Sequence, residues 1–144
     1  MGVSLQTNNS VAKIIFDLPD SKVNLLTADV LKRLDKILDD IATSKEFNVV
    51  TLTSNKPNIF IAGADIKEIE SITQKEEGIE KATFGQNVFN KLEDLTIPTI
   101  AVIDGVALGG GCELALACTY RIGTFNEKVK IGLPEVNLGI FPGF

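Results

Sequence analysis

The sequence predicts an α/β layer architecture, on two observations. Short runs rich in β-branched and apolar residues recur at Val11–Phe16, Val49–Thr53 and Thr99–Ile103, each the length of a buried strand. Between them lie longer stretches whose apolar residues fall at helical spacing. Strands alternating with helices build sheets covered by helices.

The elements follow in chain order. Val11–Phe16 reads as a strand that ends in the turn Asp17-Leu18-Pro19-Asp20. From Val30 the apolar residues Leu31, Leu34, Ile37, Leu38 and Ile41 mark one helix face, with Lys32, Arg33, Asp35, Lys36, Asp39 and Asp40 between them. Thr27 is the expected N-cap, its hydroxyl accepting from an otherwise unpaired amide. Val49–Thr53 is a strand, and Ser54-Asn55-Lys56-Pro57-Asn58 a loop. Phe60–Ala64 leads into a helix start at Asp65–Glu70, with Asp65 near the positive end of the dipole. Ile79, Ala82, Phe89, Leu92 and Leu95 outline a second amphipathic helix, ended by Thr96–Pro98.

Thr99–Ile103 is the next strand, Asp104–Gly111 reads as a turn of small residues, and Cys112–Cys118 continues as a helix of good formers. Arg121–Thr124 and Val129–Ile131 are short strands around a polar loop, before Pro134-Glu135, Gly139 and Pro142-Gly143. No repeat, low-complexity tract or linker divides residues 1–144, which read as one domain or part of one.

Composition narrows the chemistry. The net charge is −5 with no basic cluster, so no nucleic-acid partner is expected and the ligand should be small. Apolar stretches are broken by Gly, Asp or Pro before reaching the ~20 residues of a membrane span, and Met1–Ser10 lacks both a basic and an apolar region. Gln6 stands where a myristoylation signal requires Ser or Thr. The expectation is a soluble, cytoplasmic protein without membrane insertion. Cys112 and Cys118 lack C-x-x-C spacing and read as reduced core residues. There is no histidine, so acid-base work falls to carboxylates, lysines or backbone groups, and no metal site is expected.

Gly109-Gly110-Gly111 lies between a strand and a helix, leaving backbone N–H groups facing whatever sits above the helix start. Cys112-Glu113 follows where a phosphate-binding loop has Lys and then Ser or Thr, and the dinucleotide pattern G-x-G-x-x-G does not match. The loop therefore suits a transient oxyanion such as a thioester enolate, or is a plain tight turn. Glu113 opens an apolar helix segment, either as a functional carboxylate or as a favourable charge at a helix start. Glu135, in the apolar stretch Ile131–Ile140, poses the same choice.

Three stretches now combine: FIAGADIK at Phe60–Lys67, IPTIAVIDGVALGGGCELA at Ile97–Ala115, and GLPEVNLGIFPG at Gly132–Gly143. Together, and in this order, they resemble the signature segments of the enoyl-CoA hydratase (crotonase) family, most closely the N-terminal hydratase domain of multifunctional fatty-acid oxidation α-subunits. The resemblance implies a crotonase-like fold of repeated ββα units. It also implies that the domain is truncated after Phe144, before its C-terminal helices, and that a NAD-dependent dehydrogenase follows in longer chains.

Carried over residue by residue, the resemblance implies an oxyanion hole at the N–H groups of Ala64 and Gly110. It implies a catalytic pair at Glu113 and Glu135, and a CoA-thioester site lined by Ala62, Ala64, Asp65, Ile66, Lys67 and Gly110. The implied reaction is hydration of a 2-enoyl-CoA in fatty-acid β-oxidation, a lyase reaction needing no cofactor beyond the CoA of the substrate. Glu113 is expected to activate water and Glu135 to donate the proton, with both tasks open to sharing in a coupled pair. Lys56 and Lys67 are candidate contacts for CoA phosphates, with solvated lysine the alternative for Lys56. Implied partners are an acyl-CoA substrate and either a homo-oligomer or a thiolase-associated complex. Two alternatives remain: an isomerase or other crotonase-fold acyl-CoA enzyme, or a catalytically silent CoA-binding or assembly fragment.

Overall fold

A computed structural model describes residues 2–144; Met1, the first residue of the predicted domain, lies outside the described residues. Strands β1 (Val3–Asn8), β2 (Val11–Phe16), β3 (Val49–Ser54), β5 (Thr99–Ile103) and β7 (Tyr120–Gly123) form one sheet in the order β1-β2-β3-β5-β7. Strands β4 (Ile59–Ile61), β6 (Val106–Leu108) and β8 (Lys130–Gly132) form a second, smaller sheet in the order β4-β6-β8. Among the described residues, only the β1/β2 hairpin is antiparallel, and the other strand pairings are parallel.

The helices are α1 (Ala28–Thr43), α2 (Ile66–Glu70), α3 (Lys75–Glu93) and α4 (Gly110–Leu116), with a 3-10 helix at Glu135–Leu138. The chain therefore repeats one unit three times. A strand of the large sheet is followed by a strand of the small sheet and then by helical structure: β3-β4 with α2 and α3, β5-β6 with α4, and β7-β8 with the 3-10 helix. This is the expected ββα repeat.

Local chemistry accounts for the clearest elements. Val30, Leu31, Leu34, Ile37, Leu38 and Ile41 are all buried along one face of α1, the stripe its period predicts. Thr27 caps it, accepting from Val30 N–H at 3.2 Å, an interaction worth about 1 kcal/mol. On β5 the alternation Thr99, Ala101, Ile103 faces inward, and on β3 Val50 and Leu52 do the same. Val50, Leu52, Ala101 and Ile103 join side chains of α1, α3 and β4 in one contiguous core. Lys91 of α3 reaches across to Asp35 and Asp39 of α1, tying the two long helices together.

Two strands depart from the sequence reading. β1 was not anticipated: it is an edge strand with Ser4, Gln6 and Asn8 exposed and only Val3 fully buried, so its apolar signal is weak. Its turn does carry a signal, Asn9, which adopts the left-handed conformation at φ 52° that Asn tolerates well. The second departure is within Asp104–Gly111, read as a turn. Val106–Leu108 instead pairs with both β4 and β8, and helix α4 begins at Gly110 rather than at Cys112. Three residues are too few for periodicity to mark a strand; pairing on both sides makes this one.

Candidate active site

The second and third ββα units end against one another, and a cleft of about 380 Å³ opens where their loops and helices meet α2 and α3. Its walls are mostly apolar, with Leu26, Leu31, Ile69, Ile72, Phe84 and Phe144 prominent. Ala62, Ala64, Asp65, Ile66, Gly110, Glu113 and Glu135 all line it, although they come from three separate stretches of sequence.

Ala64 lies in the loop after β4. Gly63 before it sits at φ 126°, and its carbonyl accepts from Leu26 N–H at 2.9 Å. Gly110 is the first residue of α4. The neighbouring amides are used: Gly109 donates to Gly132 O at 3.0 Å, and Cys112 and Glu113 both donate to Gly109 O. Among the described residues, the amides of Ala64 and Gly110 donate to no backbone or side-chain acceptor in the loops and caps.

The glycine run is required by packing. Gly109 adopts φ 52° and ψ −126°, and a Cβ there would stand 2.8 Å from Glu135 Oε1. At Gly111 a Cβ would lie 2.3 Å from the carbonyl oxygen of Ile61, so α4 can approach β4 this closely only without a side chain.

Four carboxylates line the cleft, and two of them hold the amides at the starts of α2 and α1. Asp65 caps α2, accepting from Lys67 N–H at 3.0 Å, and Glu68 accepts from Ala28 N–H at 3.0 Å, joining α2 to the start of α1. The other two are Glu113 and Glu135, each only 9% exposed. Burial pushes the Glu113 carboxyl above its ordinary value, the Phe144 amide donating to Oε1 at 2.8 Å pulls the other way, and the negative charge of Glu135 adds to the rise. Among the described residues, Glu135 Oε2 is buried without a hydrogen-bond partner, a costly state for a polar atom.

The lysines fare differently. Lys67 is exposed on α2 and forms no part of the cleft wall. Lys56 is paired with Asp17 at 2.8 Å, which holds the Asp17 carboxyl below its ordinary value. Cys112 and Cys118 are both buried free thiols, and burial pushes Cys118 up to about 12. Among the described residues no group of His, Cys, Asp or Glu could hold a metal ion. Among the described residues, no helix is long and apolar enough to cross a membrane.

Two contributors escaped the sequence reading. Asn24, 1% exposed, anchors the loop beneath Ala64; its one sequence signal is a polar residue inside the apolar run Val23–Leu26. Phe144 supplies the amide bound to Glu113 and packs its ring against Phe89 at 5.1 Å, a contact with no local signature.

The profile of the enoyl-CoA hydratase/isomerase family matches residues 6–144, nearly the whole chain. The chain belongs to this family. Among curated relatives, the fatty acid oxidation complex subunit alpha of Aliivibrio fischeri is 41% identical over 137 residues, spanning 94% of this chain and 20% of that protein. Its counterpart in Vibrio campbellii is 40% identical over 134 residues, 93% of this chain and 19% of that one. The chain thus spans about a fifth of the length of these relatives.

Solved structures agree in fold. The enoyl-CoA hydratase of Bacillus anthracis superposes with a TM-score of 0.90 at 35% identity, covering 99% of this chain and 54% of that one. An enoyl-CoA hydratase from Shewanella pealeana gives 0.89 at 26% identity, covering 99% and 53%. The three-unit core is therefore that of the enoyl-CoA hydratase/isomerase (crotonase) family.

Proposed function

We propose that this chain hydrates 2-enoyl-CoA thioesters to 3-hydroxyacyl-CoA. The observation that carries the reading is the convergence, in one apolar cleft, of two unpaired amides and two buried carboxyls.

The chemistry follows from those groups. Water adds at C3 of the conjugated thioester while Glu113 takes its proton. The electron pair of the C2–C3 double bond moves to the carbonyl oxygen as an enolate. The amides of Ala64 and Gly110 donate to that oxygen, and each such donor typically lowers the barrier by about 2.7–4 kcal/mol. Glu135 then delivers a proton to C2 as the enolate collapses, and proton return from Glu113 to Glu135 resets the pair. A raised Glu113 pKa supports the role, because a base that must take and release a proton works best near the ambient pH. The CoA moiety leaves the cleft past Ala62, Asp65 and Ile66, with exposed Lys67 within the reach of a phosphate at the mouth. Water and thioester supply every atom, so no further cofactor is needed.

The names of the curated relatives support membership of a fatty-acid oxidation complex. Isomerisation, which the family description includes, needs one proton-shuttling carboxylate; the second buried glutamate favours hydration.

The test is the loss of conjugated-enoyl ultraviolet absorbance on mixing the chain with a short 2-enoyl-CoA. Glu113→Gln and Glu135→Gln should each lower the rate by about 10²- to 10⁴-fold. Binding without turnover would establish the silent-fragment reading instead. Conversion to a 3-enoyl isomer would establish the isomerase.

A further inference from the structure

We propose that Asn24 is a positioning residue, setting the direction of the Ala64 amide and its register against Gly110. The proposal rests on the reading of these amides as donors to the substrate carbonyl.

Asn24 lies in the loop between β2 and α1, 1% exposed. Its carboxamide nitrogen donates to Phe16 O at 3.2 Å and Ser54 Oγ at 2.9 Å, at the ends of β2 and β3, and to Phe60 O at 3.0 Å within β4. Its Oδ1 accepts from Leu18 N–H at 2.9 Å, and its backbone carbonyl accepts from Ala62 N–H at 2.9 Å. Both ends of the amide are thus engaged, and one side chain locks the ends of β2 and β3 to β4, the strand from which the Ala62–Ala64 loop emerges.

The consequence passes through one peptide plane. Leu26, two residues on, donates its N–H to Gly63 O at 2.9 Å and bridges to Ala64 in parallel register. A trans peptide is rigid and planar, with C=O and N–H pointing opposite ways. Anchoring the Gly63 carbonyl on Leu26 therefore turns the Ala64 N–H away from Leu26, on a residue that lines the cleft. Leu26 also meets the other donor: a Cβ on Gly110 would stand 2.9 Å from Leu26 Cδ1. The Asn24–Leu26 segment thus touches the backbone of one donor and packs against the other, and Asn24 holds that segment in place.

Only an amide side chain supplies these bonds at this size. Aspartate has the same shape but no donor, and its oxygens would face the carbonyls of Phe16 and Phe60. The experiment uses the full chain and a 2,4-dienoyl-CoA, whose absorbance moves to the red when its carbonyl is polarised by hydrogen bonds. In Asn24→Asp the hydration kcat should fall about 100-fold, the scale of a 1 Å misplacement at a reacting centre. KM should stay within about threefold, because the amides bind the transition state more tightly than the substrate. The red shift should shrink in parallel. Leu34→Ala, a cavity in the core face of α1 outside the cleft, should melt earlier yet keep both kcat and the shift.

Asn24→Asp with wild-type kcat and a full red shift overturns the proposal while leaving the oxyanion reading intact. A wild-type chain that leaves the probe unshifted overturns that reading and the proposal with it. Should Asn24→Asp fail to fold, Ser54→Ala, which removes one of the three acceptors, decides: a partly lost shift supports the proposal and an unchanged one overturns it.

Discussion

Replacing Gly111 by alanine tests the packing that brings the two halves of the site together. The new methyl carbon would lie 2.3 Å from the carbonyl oxygen of Ile61, and 2.8 and 2.9 Å from the Ile61 Cβ and carbonyl carbon. Two of these three atoms are backbone in a paired strand, so no side-chain rotation relieves the contact. To reach 3.0 Å, the shortest separation real Cβ atoms adopt, α4 must retreat from β4 by about 0.7 Å. Overpacking of this kind costs about 1–3 kcal/mol. At this chain length that lowers the melting temperature by about 3–10 °C. The retreat carries the Gly110 amide and Glu113 with it, so hydration should fall about 10- to 100-fold. Gly123→Ala is the matched control, because a Cβ there meets nothing within 4 Å. Thermal melting and the enoyl-absorbance assay measure the two effects. If Gly111→Ala melts and turns over like Gly123→Ala, the close approach of α4 to β4 is wrong.

The remaining predictions concern charge. Glu113 has its carboxyl held above 4.5 in the folded chain, so as pH rises from below that value the unfolded chain ionises first and stability is lost across the window up to the raised pKa. Glu113→Gln has no such loss; its stability relative to wild type should grow between pH 4 and pH 8 in denaturant titrations, and a shrinking difference would contradict the burial argument. Lys91→Met removes the tie from α3 to Asp35 and Asp39, and partial exposure of the pair limits the cost to about 1 kcal/mol or less. That cost should fall further in high salt, measured by urea unfolding with and without 1 M NaCl.

What the sequence determined by itself is the part written in local patterns. The α1 stripe from Val30 to Ile41, its Thr27 cap, the strands β3 and β5 and the helix start at Asp65 are all legible, because side-chain period, β-branched runs and capping are set within a few residues. The motif stretches also carried the family. The tertiary structure alone decided which local signals were strands and what the candidate site residues face. Val106–Leu108 is a strand because β4 and β8 flank it, and polar β1 is one because β2 offers it an edge.

The same holds for the cleft. Glu113 and Glu135 are each a lone carboxylate in an apolar stretch, and nothing local distinguishes them from Asp65 and Glu68, which hold the amides at the starts of α2 and α1. Asn24 and Phe144 are invisible as site residues until the ββα units pack and bring the loop before α1, the end of β4 and the start of α4 to one place. Periodicity is a property of neighbours in the chain. Convergence of polar groups is a property of the crossovers that fold the chain back on itself, and their energies are summed over contacts far apart in sequence.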